Sequence, residues 1–376
     1  MTQTQQQTTR QADEQESTSM QGDHTDQRRL KVAVMSFAHP HAAGYVHLLQ
    51  QAGVDVLACD PDRVSSADHE VRGADLAAQL GVAHVDTYEE LFAWAPDAVV
   101  ICSENTRHRQ DTELAAAHGV HVLCEKPLAV TAADARAMID ACERAGVLLM
   151  TAYPVHFSPA VTAAKQAIAE GTLGQLIGAV GTNNGYCPVG ARRWFLNPEW
   201  SGGGALVDHT VHVAELLDWL TGDRPASVHA VKNQIMHADL DGVLCETGGL
   251  VTITYEQGLV ATIDCSWSVP KGAPTWGGVT LELAGTNGVL EINPFAQRVG
   301  GWDGNAGGRD FWLPYGANLD DGLLRTFIDA VQARRAGEAV EWPSPDGHVG
   351  LRTAQIVEAA QVSARKHRVV QISELA

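Results

Sequence analysis

Between Leu30 and about Thr151, short β-rich runs alternate with Ala-rich helical stretches, and few folds accommodate that order. The expected strands are Lys31–Met35, Val54–Cys59, Ala98–Cys102, His121–Cys124 and Val147–Met150, with helical periodicity at Arg107–His118 and Ala132–Ala145. Strands that alternate with helices pair in parallel and carry helices on both faces. Ligands of such sheets bind beyond the carboxyl ends of the strands. Past Tyr153 the β-rich runs lengthen, to Gln175–Thr182, Ala226–Gln234, Gly249–Tyr255, Leu259–Ser268 and Val279–Ala284. Several alternate polar with apolar side chains, which predicts antiparallel strands with one covered face. Thr162–Glu170, Asp321–Ala336 and His348–Lys366 read as helices. The fold class is therefore α/β, with a nucleotide-binding domain over 30–152 and an α+β domain over 153–376.

A chain of 376 residues suits two such domains. With 45 acidic against 26 basic side chains, its net charge of −19 repels phosphate backbones and anionic lipid. Nucleic acid and membrane partners are excluded on that ground, and no apolar run reaches spanning length. Met1–Gln27 is polar and predicts a disordered tail, assigned to 1–29, without the apolar core of a signal peptide. The seven cysteines are scattered and fit no metal knuckle. Reduced core thiols in a cytoplasmic protein are expected.

Nucleotide recognition in such a sheet begins at the turn after the first strand. Here the turn reads Ser36-Phe37-Ala38-His39-Pro40-His41. Ser36, Ala38 and His41 stand where a dinucleotide fingerprint has glycine. Pro40 suits the start of a helix whose amides face an anion, and Ser36 and His39 are candidate phosphate donors. Asp60 ends the second strand, where a carboxylate accepts the adenosine ribose hydroxyls and repels a 2′-phosphate. NAD is preferred over NADP for that reason, with Arg63 nearby as the opposing sign. The other reading of Asp60 is a turn residue in Asp60-Pro61-Asp62. Ser103, Asn105 and His108 form a polar turn on the same rim as Glu125-Lys126-Pro127. The cofactor set is thus Ser36, Phe37, Ala38, His39, His41, Asp60, Ser103, Asn105, His108, Glu125 and Lys126. His39, His41 and His47 lack an accompanying carboxylate or cysteine cluster in the sequence, so no metal site is expected.

Two distant segments carry proton-transfer chemistry. Lys126 follows a strand, and Asp208 and His212 sit four residues apart behind Gly202-Gly203-Gly204. That spacing puts both side chains on one helical face. An aspartate beside an imidazole suits a general base, although Asp208 also suits a helix cap. Asn183, Tyr186, Arg192, Arg193 and Trp194 precede the catalytic helix and are candidate substrate contacts. Trp267, Trp276, Trp302 and Trp312 suit sugar stacking or a subunit interface equally. The glycines of Gly300–Gly308 suggest a mobile loop.

These residues resemble the glucose–fructose oxidoreductase / inositol dehydrogenase family, often called Gfo/Idh/MocA. The resemblance runs from Leu30 to the end and is specific at Glu125-Lys126-Pro127 and at Gly202 to His212. Asn105 and His108 are similar to the family's Pro-Asn-x-x-His stretch, with Glu104 in place of proline. Gly171–Gly174 and Gly285–Gly288 also look like family turns. The resemblance implies a Rossmann domain, a large open, mostly antiparallel second sheet, and NAD(P) chemistry at a secondary alcohol of a sugar or cyclitol. It implies homodimers or homotetramers. By position, Lys126 would contact the substrate hydroxyl and nicotinamide ribose, and Asp208 and His212 would complete the catalytic set. Tyr153, His156 and His209 would face substrate, His156 standing where an arginine is frequent. Two alternatives stay open: a redox glycosidase that recycles its nicotinamide, and a non-enzymatic regulator binding nucleotide or sugar.

Overall fold

The computed structural model describes residues 28–61, 70–189, 192–304 and 308–375. The tail expected over Met1–Gln27, and Arg63, lie outside the described residues. Arg28, assigned to the tail, forks onto Asp97 at 2.6 and 2.9 Å.

The first sheet contains β1 (Lys31–Met35), β2 (Asp55–Cys59), β3 (Ala83–Val85), β4 (Ala98–Ile101), β5 (His121–Glu125) and β6 (Leu149–Ala152). The strands run parallel in the order β3-β2-β1-β4-β5-β6. The order reverses between β1 and β4, where a crevice opens at the strand ends. The helices of this half are α1 (His41–Gln51), α2 (Gly73–Leu80), α3 (Tyr88–Ala93), α4 (His108–Ala117) and α5 (Ala132–Ala145). Thr87 and Glu90 form a reciprocal capping box on α3, and Thr131 caps α5. Strand β3 has three residues and half-exposed side chains, too little pattern to read from sequence.

The second half holds α6 (Pro159–Ala169), β7 (Leu176–Gly185), α7 (Pro198–Ser201), α8 (Ala205–Thr221), β8 (Pro225–Asn233), β9 (Gly248–Tyr255), β10 (Val260–Ser266), β11 (Gly277–Gly285) and β12 (Gly288–Ile292). It continues through β13 (Arg298–Asp303), β14 (Arg309–Pro314), α9 (Leu319–Arg335), α10 (Gly347–Lys366) and β15 (Val370–Gln371). The sheet order is β12-β11-β7-β10-β9-β8-β15, antiparallel except for the β7–β10 pair. Strands β13 and β14 form a hairpin, so Gly300–Asp303 is paired strand where a loop was expected.

Leu206, Val213, Leu216 and Leu217 of α8, with Ile356 and Ala360 of α10, cover one face of the second sheet. The last helices cross the expected domain boundary. Leu323, Leu324, Phe327 and Val331 of α9 lie in the core over one face of the first sheet, with Val32, Val34 and Tyr45. Ala354 of α10 packs on its other face beside Met138 and Ile139. Residues 153–376 are therefore one half in sequence but not in packing. Among the described residues no helix is long and apolar enough to cross a membrane.

Candidate active site

Lys126 and Asp208 arrive from opposite halves and meet. Lys126 follows β5 at the carboxyl edge of the parallel sheet; Asp208 lies in the first turn of α8. The glycine run lets α8 begin this close to its neighbours. A Cβ on Gly204 would lie 1.9 Å from the backbone oxygen of Glu246, while the Gly204 amide donates to the Glu246 side chain at 2.8 Å. Lys126 Nζ donates to Asp208 Oδ1 at 2.6 Å, with both side chains mostly buried. Burial alone would raise the Asp208 pKa, but Lys126 and His209 hold the carboxyl well below the usual carboxylate range.

The expectation that Asp208 orients His212 is corrected. Asp208 Oδ2 faces His209 Nε2 at 3.2 Å and accepts from Trp267 Nε1 at 3.5 Å. His209 Nδ1 is 2.9 Å from the Asn183 backbone oxygen. Both partners of that ring are acceptors. Asp208 is thus set by Lys126 and His209. It does not cap α8 either, since the cap position is Gly204. His212 lies in the same pocket, and its Nδ1 is buried with no hydrogen-bond partner. Burial, reinforced by Lys126, drives its pKa well below the usual imidazole value, which makes the ring a neutral acceptor. Tyr153 stands edge-on to it, centroids 6.0 Å apart.

Several expected substrate contacts are placed otherwise. The Tyr153 hydroxyl bonds Thr353 at 2.8 Å and shapes the pocket only through its ring. His156 is buried, 2.7 Å from Glu215 and packed on Trp219. Tyr186 is partly exposed and donates to the Ala273 carbonyl at 2.7 Å. The Arg192 amide donates to Glu70 at 2.5 Å, on the nucleotide-binding half, and Arg193 is exposed. Trp194 is buried against the first turn, its Nε1 donating to Ala38 O at 3.0 Å, and stacks on Phe195 at 3.8 Å. Asn183 remains in the site. Its Nδ2 donates to Gly278 O at 2.9 Å, and its Oδ1 is buried without a partner.

The nucleotide end also departs from expectation. Asp60 is buried and saturated. Arg72, itself fully buried, grips it at 3.0 and 2.6 Å, while Ser36 Oγ, the Phe37 amide and the Gly73 amide donate at 3.1, 3.0 and 2.9 Å. Burial opposes the charge on Asp60, but Arg72 outweighs it and lowers the pKa. In this arrangement Asp60 has no capacity left for ribose hydroxyls. Ser36 takes the left-handed backbone, φ 71°, where a fingerprint has its first glycine. Its Oγ accepts from the Ala38 amide at 3.1 Å, and the His39 amide donates to Cys102 O at 2.8 Å. The turn therefore spends its amides internally. Glu104, where the family has proline, faces Arg72 at 3.6 Å. His108 is wedged between the carbonyls of Pro127 and Ser103 at 2.9 and 3.1 Å, a structural clamp rather than a ligand contact.

The remaining rim residues are buried and close to the second half. Ser103 is buried, and Asn105 Nδ2 donates to Ser201 O at 2.9 Å while its Oδ1 has no partner. Glu125 is buried beside His39 and His41, so a carboxylate does accompany those histidines. Sequence reasoning missed Arg72 and Tyr45. A buried arginine and an aspartate at a strand end are complementary, but no local spacing joins them.

The unpartnered Asn105 Oδ1, Asn183 Oδ1 and His212 Nδ1 fit a polar ligand, because buried polar atoms ordinarily find partners. His212 is within electrostatic reach of Lys126, at the carboxyl edge where a dinucleotide's reactive end belongs in this fold. Fold and site thus define an oxidoreductase with a parallel dinucleotide-binding sheet and a second, mostly antiparallel one. Residues 38–153 match the oxidoreductase family model for an NAD-binding Rossmann fold, and residues 161–291 match the GFO/IDH/MocA C-terminal domain. The chain belongs to the Gfo/Idh/MocA family. It is 32% identical over 300 residues to the 1,5-anhydro-D-fructose reductase of Ensifer adhaerens, covering 77% of this chain and 88% of that protein. It is 27% identical over 336 residues to the D-apiose dehydrogenase of Paraburkholderia graminis, covering 86% and 84%. The solved structure of GenD2 from gentamicin A biosynthesis in complex with NAD superposes with a TM-score of 0.77 at 25% identity, covering 92% and 96%.

Proposed function

We propose that the chain moves a hydride between NAD and a secondary alcohol of a sugar, sugar derivative or cyclitol. The observation that carries this reading is the Lys126–Asp208 pair at 2.6 Å, with neutral His212 beside it. The bound nicotinamide supplies the hydride acceptor or donor. His212, neutral, takes the hydroxyl proton. Lys126 steadies the negative charge that grows on the same oxygen. Asp208 fixes the Lys126 ammonium, and His209 fixes Asp208. Asn183 Oδ1 is the remaining acceptor for a substrate hydroxyl. Sugar reductases and dehydrogenases among the relatives support the substrate class.

His212→Asn tests the base. We expect turnover to fall on the order of 10²–10⁴-fold. The depressed pKa of His212 also gives a sign: kcat/KM holds level as the pH falls through the usual imidazole range and drops only below it. The same shift means folding favours the neutral ring, so stability declines as the pH falls below the unfolded value of about 6.5. Normal turnover by His212→Asn contradicts this assignment.

The assembly reading is a homo-oligomer in the cytoplasm, built on the face of the second sheet that is exposed among the described residues. Val180, Val231, Leu250 and Val260 are exposed there, flanked by Thr252, Thr262 and Thr280. An apolar face of this kind calls for a second copy. Val180→Asp is expected to shift the molar mass seen by light scattering toward the monomer. A monomeric wild-type protein contradicts the reading.

A further inference from the structure

The first turn and the end of β5 bring three ligating groups to one point. His39 Nδ1 and His41 Nδ1 lie 3.3 and 2.9 Å from Glu125 Oε1. Their ligand atoms all fall within 4.8 Å of one another. Nitrogen and oxygen ligands about 2.1 Å from a shared ion stand about 3.0 Å apart in an octahedron and about 3.4 Å in a tetrahedron. The observed separations to Glu125 are edges of such a polyhedron. The chain topology explains the meeting: β4 lies between β1 and β5, so the turn after β1 and the end of β5 flank one crevice.

The His41 amide donates to His39 Nδ1 at 3.3 Å, so that nitrogen carries a lone pair. The same nitrogen lies 3.3 Å from Glu125 Oε1. The Tyr45 hydroxyl donates to Glu125 Oε1 at 2.8 Å, and His41 reaches the same atom, but neither stands between His39 and the carboxylate. Among the described residues no lysine or arginine is ion-paired with Glu125; Lys126 is turned to Asp208. Glu125 pairs with His41 and accepts from Tyr45 and from the Lys126 amide, so a bound ion would take the place of the proton that His41 shares with it.

We propose that His39, His41 and Glu125 form a binding site for one divalent transition-metal ion of the zinc class. Two imidazoles and a carboxylate suit such ions better than magnesium or calcium, which prefer all-oxygen sets. Entry is from the side of His41, whose side chain is 37% exposed. The ion would tie the glycine-poor first turn to the strand that leads into Lys126. This site does not depend on the hydride-transfer reading.

The test is a titration of metal-stripped full-length protein, without nucleotide or sugar. Zinc is followed by calorimetry and cobalt(II) by its visible absorption. The expected result is one ion per chain, with binding weakened at least tenfold by His41→Ala and by Glu125→Gln and unchanged by His47→Ala on the exposed side of α1. His41 is the safest ligand to remove because it is partly exposed, and circular dichroism on each variant checks folding. No binding by the folded wild-type protein overturns the proposal, as does unchanged binding in folded His41→Ala and Glu125→Gln. Hydride transfer by a protein that binds no metal would sink this proposal alone.

Discussion

Lys126→Met is expected to cut turnover on the order of 10²–10³-fold or more while NADH still binds, because it removes the one ammonium facing the reacting oxygen. Methionine keeps the length and packing of the lysine stem. Asp208 keeps His209 at 3.2 Å, so the site is not left with a bare buried carboxylate. The diagnostic is the split between steps: kcat collapses and the NADH dissociation constant does not. Near-normal kcat in Lys126→Met contradicts the mechanism, and a parallel loss of NADH binding would move Lys126 from chemistry to cofactor retention.

Arg72→Met is expected to destabilise the fold by about 3–5 kcal/mol, the usual cost of stripping one partner from a buried ion pair. Arg72 is fully buried, and its guanidinium satisfies both Asp60 oxygens, Ser36 Oγ and, at 3.6 Å, Glu104. The double variant Asp60→Asn/Arg72→Met is expected to recover part of that loss, since replacing both charges removes the stranded carboxylate. Urea unfolding of the single and double variants measures the coupling. An Arg72→Met protein as stable as wild type would mean the pair is open in solution, and Asp60 would again be available to ribose.

The parts of the fold legible in sequence were those encoded locally. The β1 run Lys31–Met35 and the Ala-rich α5 carry their periodicity in neighbouring residues. The four-residue step from Asp208 to His212 put both on one face of α8, and the structure keeps them within electrostatic reach without the expected contact. What was not legible depends on partners remote in sequence. Asp60 reads as a ribose acceptor until Arg72 and the Gly73 amide fold back onto it. A helical wheel pairs Asp208 with His212, and only the tertiary anchoring of His209 on the Asn183 carbonyl brings the adjacent ring to Asp208 instead. His156 goes to Glu215 because α8 buries both. The histidines of the first turn lacked a carboxylate in sequence because Glu125 lies two strands away.

The saturated Asp60 and the internally bonded amides of Phe37, Ala38 and His39 make the first turn unlike a glycine fingerprint. Asn105 Oδ1 and His212 Nδ1 nevertheless remain buried acceptors without partners. Nucleotide binding is where these two features meet. The most direct measurement is a titration of the purified protein with NADH, and NADPH in parallel, followed by nicotinamide fluorescence. The account predicts saturable NADH binding in the micromolar range, retained in Lys126→Met. Absence of binding by both nucleotides would contradict it.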